Sequence, residues 1–245
     1  MILAIDIGNT NTVIGCCRDD EILFVERLST DSSRTVLEYA ISIKNVLELY
    51  QIRPDDLKGS IISSVVPPLT NLFREAISKI IGKEPMVVGP GVKTGLNILM
   101  DNPGQVGSDL IVNAVAALAE HPVPLIIIDL GTATTISVVD SKKNYIGGMI
   151  LPGIRVSLDS LVNRTSQLHR ISLEAPKRLI GKNTGECMKS GIIHGNAACI
   201  DGMIDRIEKE LKTKATVIAT GGLAGSIIPH CTHKIILDDA LLLKG

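Results

Sequence analysis

Residues 2–13 read ILAIDIGNTNTV, and residues 125–136 read LIIIDLGTATTI. The two stretches align without a gap and are identical at four pairs of positions, Ile5 and Ile128, Asp6 and Asp129, Gly8 and Gly131, and Thr12 and Thr135. Each begins with an apolar run typical of a buried strand and passes through a tight Asp-x-Gly turn into a second strand. We therefore predict a duplicated α/β protein with domains at residues 1–120 and 121–245.

The repeated turn has the residue types that bind phosphate and metal ions. Gly8 and Gly131 allow the backbone to approach a phosphate group, and the N–H groups of such a turn can donate to its oxygens. Asp6 and Asp129 can each hold a cation or its water shell. Hydroxyl donors near the two turns are Thr10, Thr12, Thr132, Thr134 and Thr135. A single turn of this kind is more often an ordinary β-turn, so the second copy is what favours phosphate binding.

The common nucleotide-binding motifs are missing from the sequence. No Gly-x-x-x-x-Gly-Lys-Ser/Thr segment occurs, and no Gly-x-Gly-x-x-Gly follows a strand, which argues against P-loop and dinucleotide-binding proteins. A third glycine element, Gly221-Gly222, follows the predicted strand at Thr216–Ala219. It could pass beneath a nucleoside with little obstruction, or it could be a packing turn.

Composition excludes several classes of protein. Net charge is −1 and aromatic residues make up only 2% of the chain, so we expect no direct nucleic-acid binding. Apolar runs are too short to cross a bilayer, and the N-terminus lacks the features of a signal peptide. The five cysteines, an odd number, fit reduced thiols in a cytoplasmic protein. We therefore expect no membrane association and a cytoplasmic location.

Strands and helices alternate along the chain. Three strands, Ile2–Ile5, Thr12–Cys17 and Ile22–Arg27, are predicted to form a meander with a polar turn at Arg18–Asp20. Apolar spacing predicts a helix over residues 31–50 with Asp31 or Ser32 as its cap. Residues 100–109, MDNPGQVGSD, form a polar loop before a helix that starts at Leu110. Loops of this kind often carry functional residues.

The tract His230-Cys231-Thr232-His233 contains two residue types that bind metals. No second pair of closely spaced ligands accompanies it in the sequence, as a zinc site of the usual spacing would require. The sequence therefore favours a structural role for this tract.

These elements, in this order, resemble the superfamily of actin, sugar kinases and heat-shock-chaperone ATPases. The finer resemblance is to type III pantothenate kinase and covers essentially the whole chain. It is carried by Asp6–Val13, Asp101–Pro103 with Gly107–Asp109, Asp129–Thr135, Gly147–Gly153, Gly181–Thr184 and Thr220–Leu223. The resemblance implies duplicated actin-like, ribonuclease H-like domains with a central ATP cleft. It also implies phosphorylation of pantothenate to 4'-phosphopantothenate, the first step of coenzyme A biosynthesis, by a homodimer.

The resemblance also implies site residues. Asp109 is the expected catalytic base, Asp6 serves the Mg²⁺ that accompanies ATP, and Asp129 binds a monovalent cation, K⁺ or NH₄⁺. Expected ATP contacts are Asp6, Ile7, Gly8, Asn9, Thr10, Asn11, Thr12, Val13, Thr132, Gly221 and Gly222. Expected pantothenate contacts are Met100, Gly107, Ser108, Asp109, Leu110 and Thr184.

The chain departs from the family pattern at three places. The family usually has Arg directly after the catalytic Asp, where this chain has Leu110, and so lacks a charge that could hold substrate. Met100 replaces a frequent aromatic residue and offers no hydroxyl. The family normally continues beyond Leu241–Gly245 with another helix. Two alternatives therefore stay open: a nucleotide-binding regulatory paralogue with impaired kinase activity, or a kinase of the same superfamily with another hydroxylated substrate.

Overall fold

A computed structural model describes residues 1–19 and 21–245. The chain forms two compact units that interleave along the sequence. The first unit contains Met1–Gly95, Asn102–Asn113 and Leu242–Gly245, and the second contains Leu96–Asp101 and Ala114–Leu241. The domain boundary expected between residues 120 and 121 stays a prediction. Asp20, the last residue of the predicted turn at 18–20, lies outside the described residues.

The first unit is built on a five-stranded sheet. Its strands are β1 (Ile2–Ile7), β2 (Asn11–Arg18), β3 (Glu21–Ser29), β4 (Gly59–Ser64) and β5 (Met86–Val87). They lie in the order β3-β2-β1-β4-β5, with β1 antiparallel to β2 and parallel to β4. The predicted meander of β1, β2 and β3 is therefore confirmed. The helices that accompany the sheet are α1 (Val36–Leu49), α2 (Pro67–Ile81) and the start of α3 (Ser108–Glu120).

Helix α1 begins later than the sequence pattern predicts. Thr35 is its cap: the Thr35 hydroxyl accepts a hydrogen bond from the Glu38 N–H, and the Glu38 carboxylate accepts one from the Thr35 N–H at 2.7 Å. Asp31 instead accepts hydrogen bonds from the N–H and the hydroxyl of Ser33. The predicted cap at Asp31 or Ser32 is wrong because Asp31 closes a local turn ahead of the helix.

The second unit is built on a six-stranded sheet. Its strands are β6 (Asn97–Ile98), β7 (Leu125–Leu130), β8 (Ala133–Val139), β9 (Asn144–Pro152), β10 (Thr216–Thr220) and β11 (Ile236–Leu237). They lie in the order β11-β10-β7-β8-β9-β6. The remaining helices of the chain are α4 (Ile154–Asn163), α5 (Thr184–Leu211), α6 (Ala224–Ile227) and α7 (Leu241–Lys244). Strand β6 is only two residues long and has no sequence pattern that predicts it.

The duplication extends to the whole sheet. In the first unit the strand order is β3-β2-β1-β4-β5, and the second unit repeats it as β9-β8-β7-β10-β11, with β6 added beside β9. In both, the central strand pairs antiparallel with the strand that follows it in sequence and parallel with the strand on its other side. The sequence repeat therefore marks the start of a duplicated five-stranded unit.

Each sheet packs its apolar side chains into its own core. The first core contains the rings of Tyr39 and Phe73, whose centroids lie 4.3 Å apart, together with aliphatic side chains of β1, α1 and α2. The second core joins β7, β8 and β10 to one face of α5 and contains no buried aromatic residue among those described. No helix in the described part of the chain is long and apolar enough to span a membrane.

Candidate functional site

The first hairpin, β1 to β2, turns through Gly8, Asn9 and Thr10. The Gly8 N–H donates to the carbonyl of Asn11 at 3.0 Å, and a Cβ atom at Gly8 would lie only 2.9 Å from that oxygen. The Thr30 hydroxyl donates to the Gly8 carbonyl at 2.7 Å. This turn therefore needs glycine at position 8, and the segment after β3 holds it from one side.

Asp6 lies near the carboxyl end of β1 and is 7% exposed. In the parallel ladder it stands opposite Ser63 of β4, and in the antiparallel ladder opposite Val13 of β2. Carboxyl ends of parallel strands meet at one edge of a sheet, so β1 and β4 place Asp6 and Ser63 side by side at that edge.

Helix α3 is attached to the same edge through Ser108. The Ser63 hydroxyl donates to the Ser108 hydroxyl at 3.1 Å, the Ser64 N–H donates to it at 3.0 Å, and the Ser108 hydroxyl donates to the Ser64 carbonyl at 3.1 Å. Ser108 is buried, and its hydroxyl is used by these bonds. Because Asp109 follows directly, the three bonds fix the position of Asp109 relative to the end of β4.

Asp109 is half-buried in the first turn of α3. Burial raises the pKa of its carboxyl group, and the hydrogen bond from the Leu110 N–H at 2.9 Å only partly opposes that rise. The carboxylate folds back over Gly107, where a Cβ atom would overlap its Oδ1. Gly107 therefore leaves the space that this orientation of Asp109 requires.

The second hairpin, β7 to β8, turns through Gly131 and Thr132. The Gly131 N–H donates to the Ala133 carbonyl at 3.1 Å. Asp129 stands opposite Thr220 of β10 in the parallel ladder. Gly221 follows with φ of +97°, and a Cβ atom there would lie 2.5 Å from Asp129 Oδ1 and 2.6 Å from the Leu130 nitrogen. The structure thus brings Gly221 of the third glycine element against Asp129.

The other predicted substrate residues of the second unit lie on separate segments. Met100 follows β6, and a Cβ atom at Gly147 of β9 would be 3.5 Å from the Met100 sulfur. Thr184 is the first residue of α5 and is exposed, and Asn183 caps that helix by accepting from the Glu186 N–H at 2.9 Å. Asp6, Ser108 and Asp109 belong to the first unit, whereas Met100, Asp129 and Thr184 belong to the second.

Comparison with known proteins identifies the family. A family model described as type III pantothenate kinase matches residues 2–206. The chain belongs to this family. The type III pantothenate kinase of Halalkalibacterium halodurans is 43% identical over 245 residues, which cover 100% of this chain and 96% of that protein. The corresponding protein of Exiguobacterium sp. is 44% identical with the same coverage of both chains.

Solved structures confirm the fold class of this pantothenate kinase family member. A protein described as a Baf family transcriptional activator from Campylobacter jejuni has a TM-score of 0.59 at 19% identity, covering 99% of this chain and 94% of that one. Component A of (R)-2-hydroxyglutaryl-CoA dehydratase from Acidaminococcus fermentans has a TM-score of 0.56 at 16% identity, covering 99% and 93%. An N-acetylglucosamine kinase from Porphyromonas gingivalis has a TM-score of 0.56 at 13% identity, covering 100% and 97%. At these identities the likeness shows the fold alone, a duplicated actin-like one.

Sequence reasoning missed three residues around the two turns: Thr30, Ser63 and Gly153. Thr30 and Ser63 are small polar residues at the ends of β3 and β4, and nothing in their local sequence marks them. Gly153 follows β9, and a Cβ atom there would overlap the carbonyl oxygen of Thr132. The family pattern includes Gly147–Gly153, so the sequence does mark Gly153. Only the structure shows why a glycine is needed there.

Proposed function

We propose that this chain transfers the γ-phosphoryl group of ATP to the primary hydroxyl of pantothenate, giving 4'-phosphopantothenate and ADP. Full-length relatives named type III pantothenate kinase support this activity over a regulatory paralogue. The observation that carries the proposal is Asp109, a half-buried carboxylate with a raised pKa that Ser108 fixes to the end of β4. The reaction would be the first step of coenzyme A biosynthesis.

Asp109 is the proposed general base. As the pantothenate oxygen forms its bond to the γ-phosphorus, its proton passes to the Asp109 carboxylate, and the bond between that phosphorus and the bridging oxygen of ADP breaks. A raised pKa suits this role because a carboxylate that holds a proton more tightly is a stronger base. We propose that Gly107, Ser108, Leu110, Met100 and Thr184 also contact pantothenate.

The ATP phosphates are proposed to bind the first hairpin. Gly8 supports this assignment, because its turn has no room for a side chain beside the Asn11 carbonyl. The proposed contacts in the first hairpin are Asp6, Ile7, Gly8, Asn9, Thr10, Asn11, Thr12 and Val13, and those in the second unit are Thr132, Gly221 and Gly222. Of these, Thr12 is fully buried, and its hydroxyl lies 3.0 Å from the Thr30 hydroxyl.

The two repeated aspartates are proposed to serve different cations. Carboxylate and carbonyl oxygens are the ligands that hard cations prefer, and both Asp6 and Asp129 lie at glycine turns lined by backbone. We assign Mg²⁺ with ATP to Asp6 and a monovalent cation, K⁺ or NH₄⁺, to Asp129. Such cations supply charge neutralisation for the phosphates. An assay in which K⁺ is exchanged for Na⁺ tests the second assignment, and equal rates in both salts would contradict it.

A homodimer in the cytoplasm is the proposed state of the protein. Several large apolar side chains of the second unit are exposed, among them Ile150 (77%), Leu179 (67%) and Ile180 (81%), and contacts between copies could cover them. The five free cysteines fit a reducing compartment. Sedimentation equilibrium of the purified chain measures its mass, and a monomer at micromolar concentration would contradict the dimer.

Replacing Asp109 tests the proposed reaction. Asp109→Asn keeps the shape of the side chain and an acceptor for the Leu110 N–H but removes the base, so kcat should fall by about 10²–10⁴-fold. A coupled assay of ADP release with ATP, Mg²⁺ and pantothenate measures this. The matched control is Asp55→Asn, which removes one exposed carboxylate from the same unit and should leave kcat unchanged. Equal turnover by the wild type and Asp109→Asn would refute the role of Asp109.

The pH dependence of the rate provides an independent test. The base acts in its deprotonated form, so kcat/KM should fall as the pH drops through the pKa of Asp109. Because burial raises that pKa, the midpoint of this acid limb should lie above the ordinary value of about 3.9. The limb should disappear from the residual activity of Asp109→Asn. An acid limb that persists unchanged in the variant would assign it to another group.

A further inference from the structure

Three potential metal ligands meet on the second unit, away from the repeated turns. Asp205 and Glu208 lie one helical turn apart on α5, and His233 lies in the segment that follows the short 3-10 helix Ile228–His230. One ligand atom from each lies within 4.8 Å of the other two. The sequence tract around His233 lacked a second set of ligands nearby in the chain, and α5 supplies that set from 25 or more residues away.

The backbone of the His233 segment is fixed to α5 by a separate carboxylate. Asp201 accepts a hydrogen bond from the Thr232 N–H at 2.8 Å and one from the His233 N–H at 3.1 Å. The His233 ring is therefore directed at Asp205 without being needed to hold its own segment, and its Nε2 lies 3.1 Å from Asp205 Oδ1. Preorganisation of this kind lowers the cost of collecting ligands from distant parts of the chain.

The two neighbouring side chains of the tract do not compete for this role. The Cys231 thiol faces the carbonyls of Ala197 and Ile227, with its sulfur 3.8 Å and 3.9 Å from their oxygens. The His230 ring packs edge-on against His194, with their centroids 5.1 Å apart. His233 is thus the residue of the tract that faces the two carboxylates of α5.

The Lys214 ammonium already binds one residue of this cluster, Glu208. Glu208 is 8% exposed and accepts hydrogen bonds from the Lys214 ammonium at 2.6 Å and the Ala215 N–H at 3.1 Å. Glu208 is therefore a nearly buried carboxyl group beside His233. The Lys214 side chain is 83% exposed, so its ammonium can turn away into solvent without losing packing.

We propose that Asp205, Glu208 and His233 bind a divalent transition-metal ion of the zinc class, and that the Lys214 ammonium competes with it for Glu208. One imidazole nitrogen and two carboxylate oxygens are a ligand set that Zn²⁺ accepts, with water completing the coordination. Mg²⁺ is a poorer match because it prefers oxygen ligands throughout. The site would tie the His233 segment to α5, and it is independent of the proposed kinase activity.

The test is a calorimetric titration of the full chain with Zn²⁺, after chelator treatment and without nucleotide. The background carries Cys187→Ser and Cys199→Ser, because these exposed thiols could bind zinc themselves. One equivalent should bind, Asp205→Asn should weaken binding by about 10–100-fold, and Lys214→Ala should tighten it. Mg²⁺ in place of Zn²⁺ should bind at least about tenfold more weakly.

Two control variants separate this site from others. Glu210→Gln makes the same charge change as Asp205→Asn at an exposed position of the same helix, and His230→Ala removes the histidine that faces His194. Both should bind Zn²⁺ like the background protein. Unchanged affinity in Asp205→Asn, a loss of affinity in His230→Ala, or weaker binding in Lys214→Ala would each overturn the proposal. Asp205 is exposed, so its substitution should leave the fold intact.

Discussion

The two hairpins have the same antiparallel strand pairing, but the turns that connect their strands differ in length. In the first, Ile7 stands opposite Thr12, and in the second, Leu130 stands opposite Thr134. The first turn is therefore one residue longer than the second. The ungapped alignment that paired Thr12 with Thr135 is wrong after the turn, because the structural counterpart of Thr12 is Thr134.

The turns are also held in place differently. Thr30 directly follows β3 in the first unit, and Gly153 directly follows β9 in the second. The strand registers place these two residues at equivalent positions beside the two turns. Thr30 uses its hydroxyl to bind the Gly8 carbonyl, whereas Gly153 lets two backbone segments touch because it has no Cβ atom. The first turn is stabilised by side-chain hydrogen bonds and the second by close backbone packing, so the copies need not share one role.

The largest loss of stability is expected at Gly221, which follows β10 and lies against the second hairpin. In Gly221→Ala, the Cβ atom would press on Asp129 Oδ1 and on the Leu130 backbone at a φ of +97°, so the free energy of unfolding should fall by about 3–5 kcal/mol. The equivalent ladder position in the first unit is Ser64, the last residue of β4, and Ser64→Ala should lose only about 1 kcal/mol for its hydrogen bonds. Urea denaturation measures the free energy of unfolding of both variants. Equal losses would contradict the claim that the two turns are stabilised in different ways.

A smaller loss is expected in the first hairpin. The Thr30 hydroxyl donates to Gly8, so the Thr12 hydroxyl is the donor in the 3.0 Å bond that joins Thr12 and Thr30. Thr12→Val keeps the shape but removes this donor and should lower the free energy of unfolding by about 1 kcal/mol. A double-mutant cycle with Thr30→Val should show coupling of similar size, and independent effects would mean that the bond contributes nothing.

The smallest effect, with the opposite sign, is expected at Thr134. Its Oγ1 is buried and has no hydrogen-bond partner among the described residues. Thr134→Val should therefore leave stability unchanged or raise it by up to about 1 kcal/mol, because it removes a polar atom that is buried without compensation. Thermal unfolding beside Thr12→Val measures the contrast. A destabilisation of Thr134→Val equal to that of Thr12→Val would show that both hydroxyls are bonded.

Much of the fold could be predicted because periodicity and turn residues are local signals. The apolar spacing over residues 67–81 predicts an amphipathic helix that stops at Gly82. Helix α2 has these bounds, and Gly82 adopts the left-handed conformation that ends a helix. The cap of α1 could not be assigned reliably, because Asp31, Ser32 and Thr35 are all suitable caps. Only the competing hydrogen bonds of Ser33 and Glu38 decide between them.

The residues of the candidate site also fall into two groups, those that the sequence identifies and those that only the structure shows. Asp6 and Asp129 could be selected from the sequence because each sits in a repeated glycine turn, and Asp109 could be selected through the family resemblance of its loop. Ser63, which bonds to Ser108 beside Asp109, could not, because it lies 45 residues away in sequence and only the packing of the start of α3 against the end of β4 brings the two together. His233 and Asp205 meet for a similar reason, through the packing of a loop against α5.

The local sequence is enough to specify a duplicated α/β chain with a glycine turn after the first strand of each copy. An apolar run, an Asp and a Gly impose that geometry locally through burial and backbone freedom. Three properties come from tertiary packing: the register beyond each turn, the Thr30 and Gly153 contacts that hold the turns, and the burial that raises the pKa of Asp109. These properties depend on which distant segments pack together, and the spacing of residues along the chain does not show which segments those are.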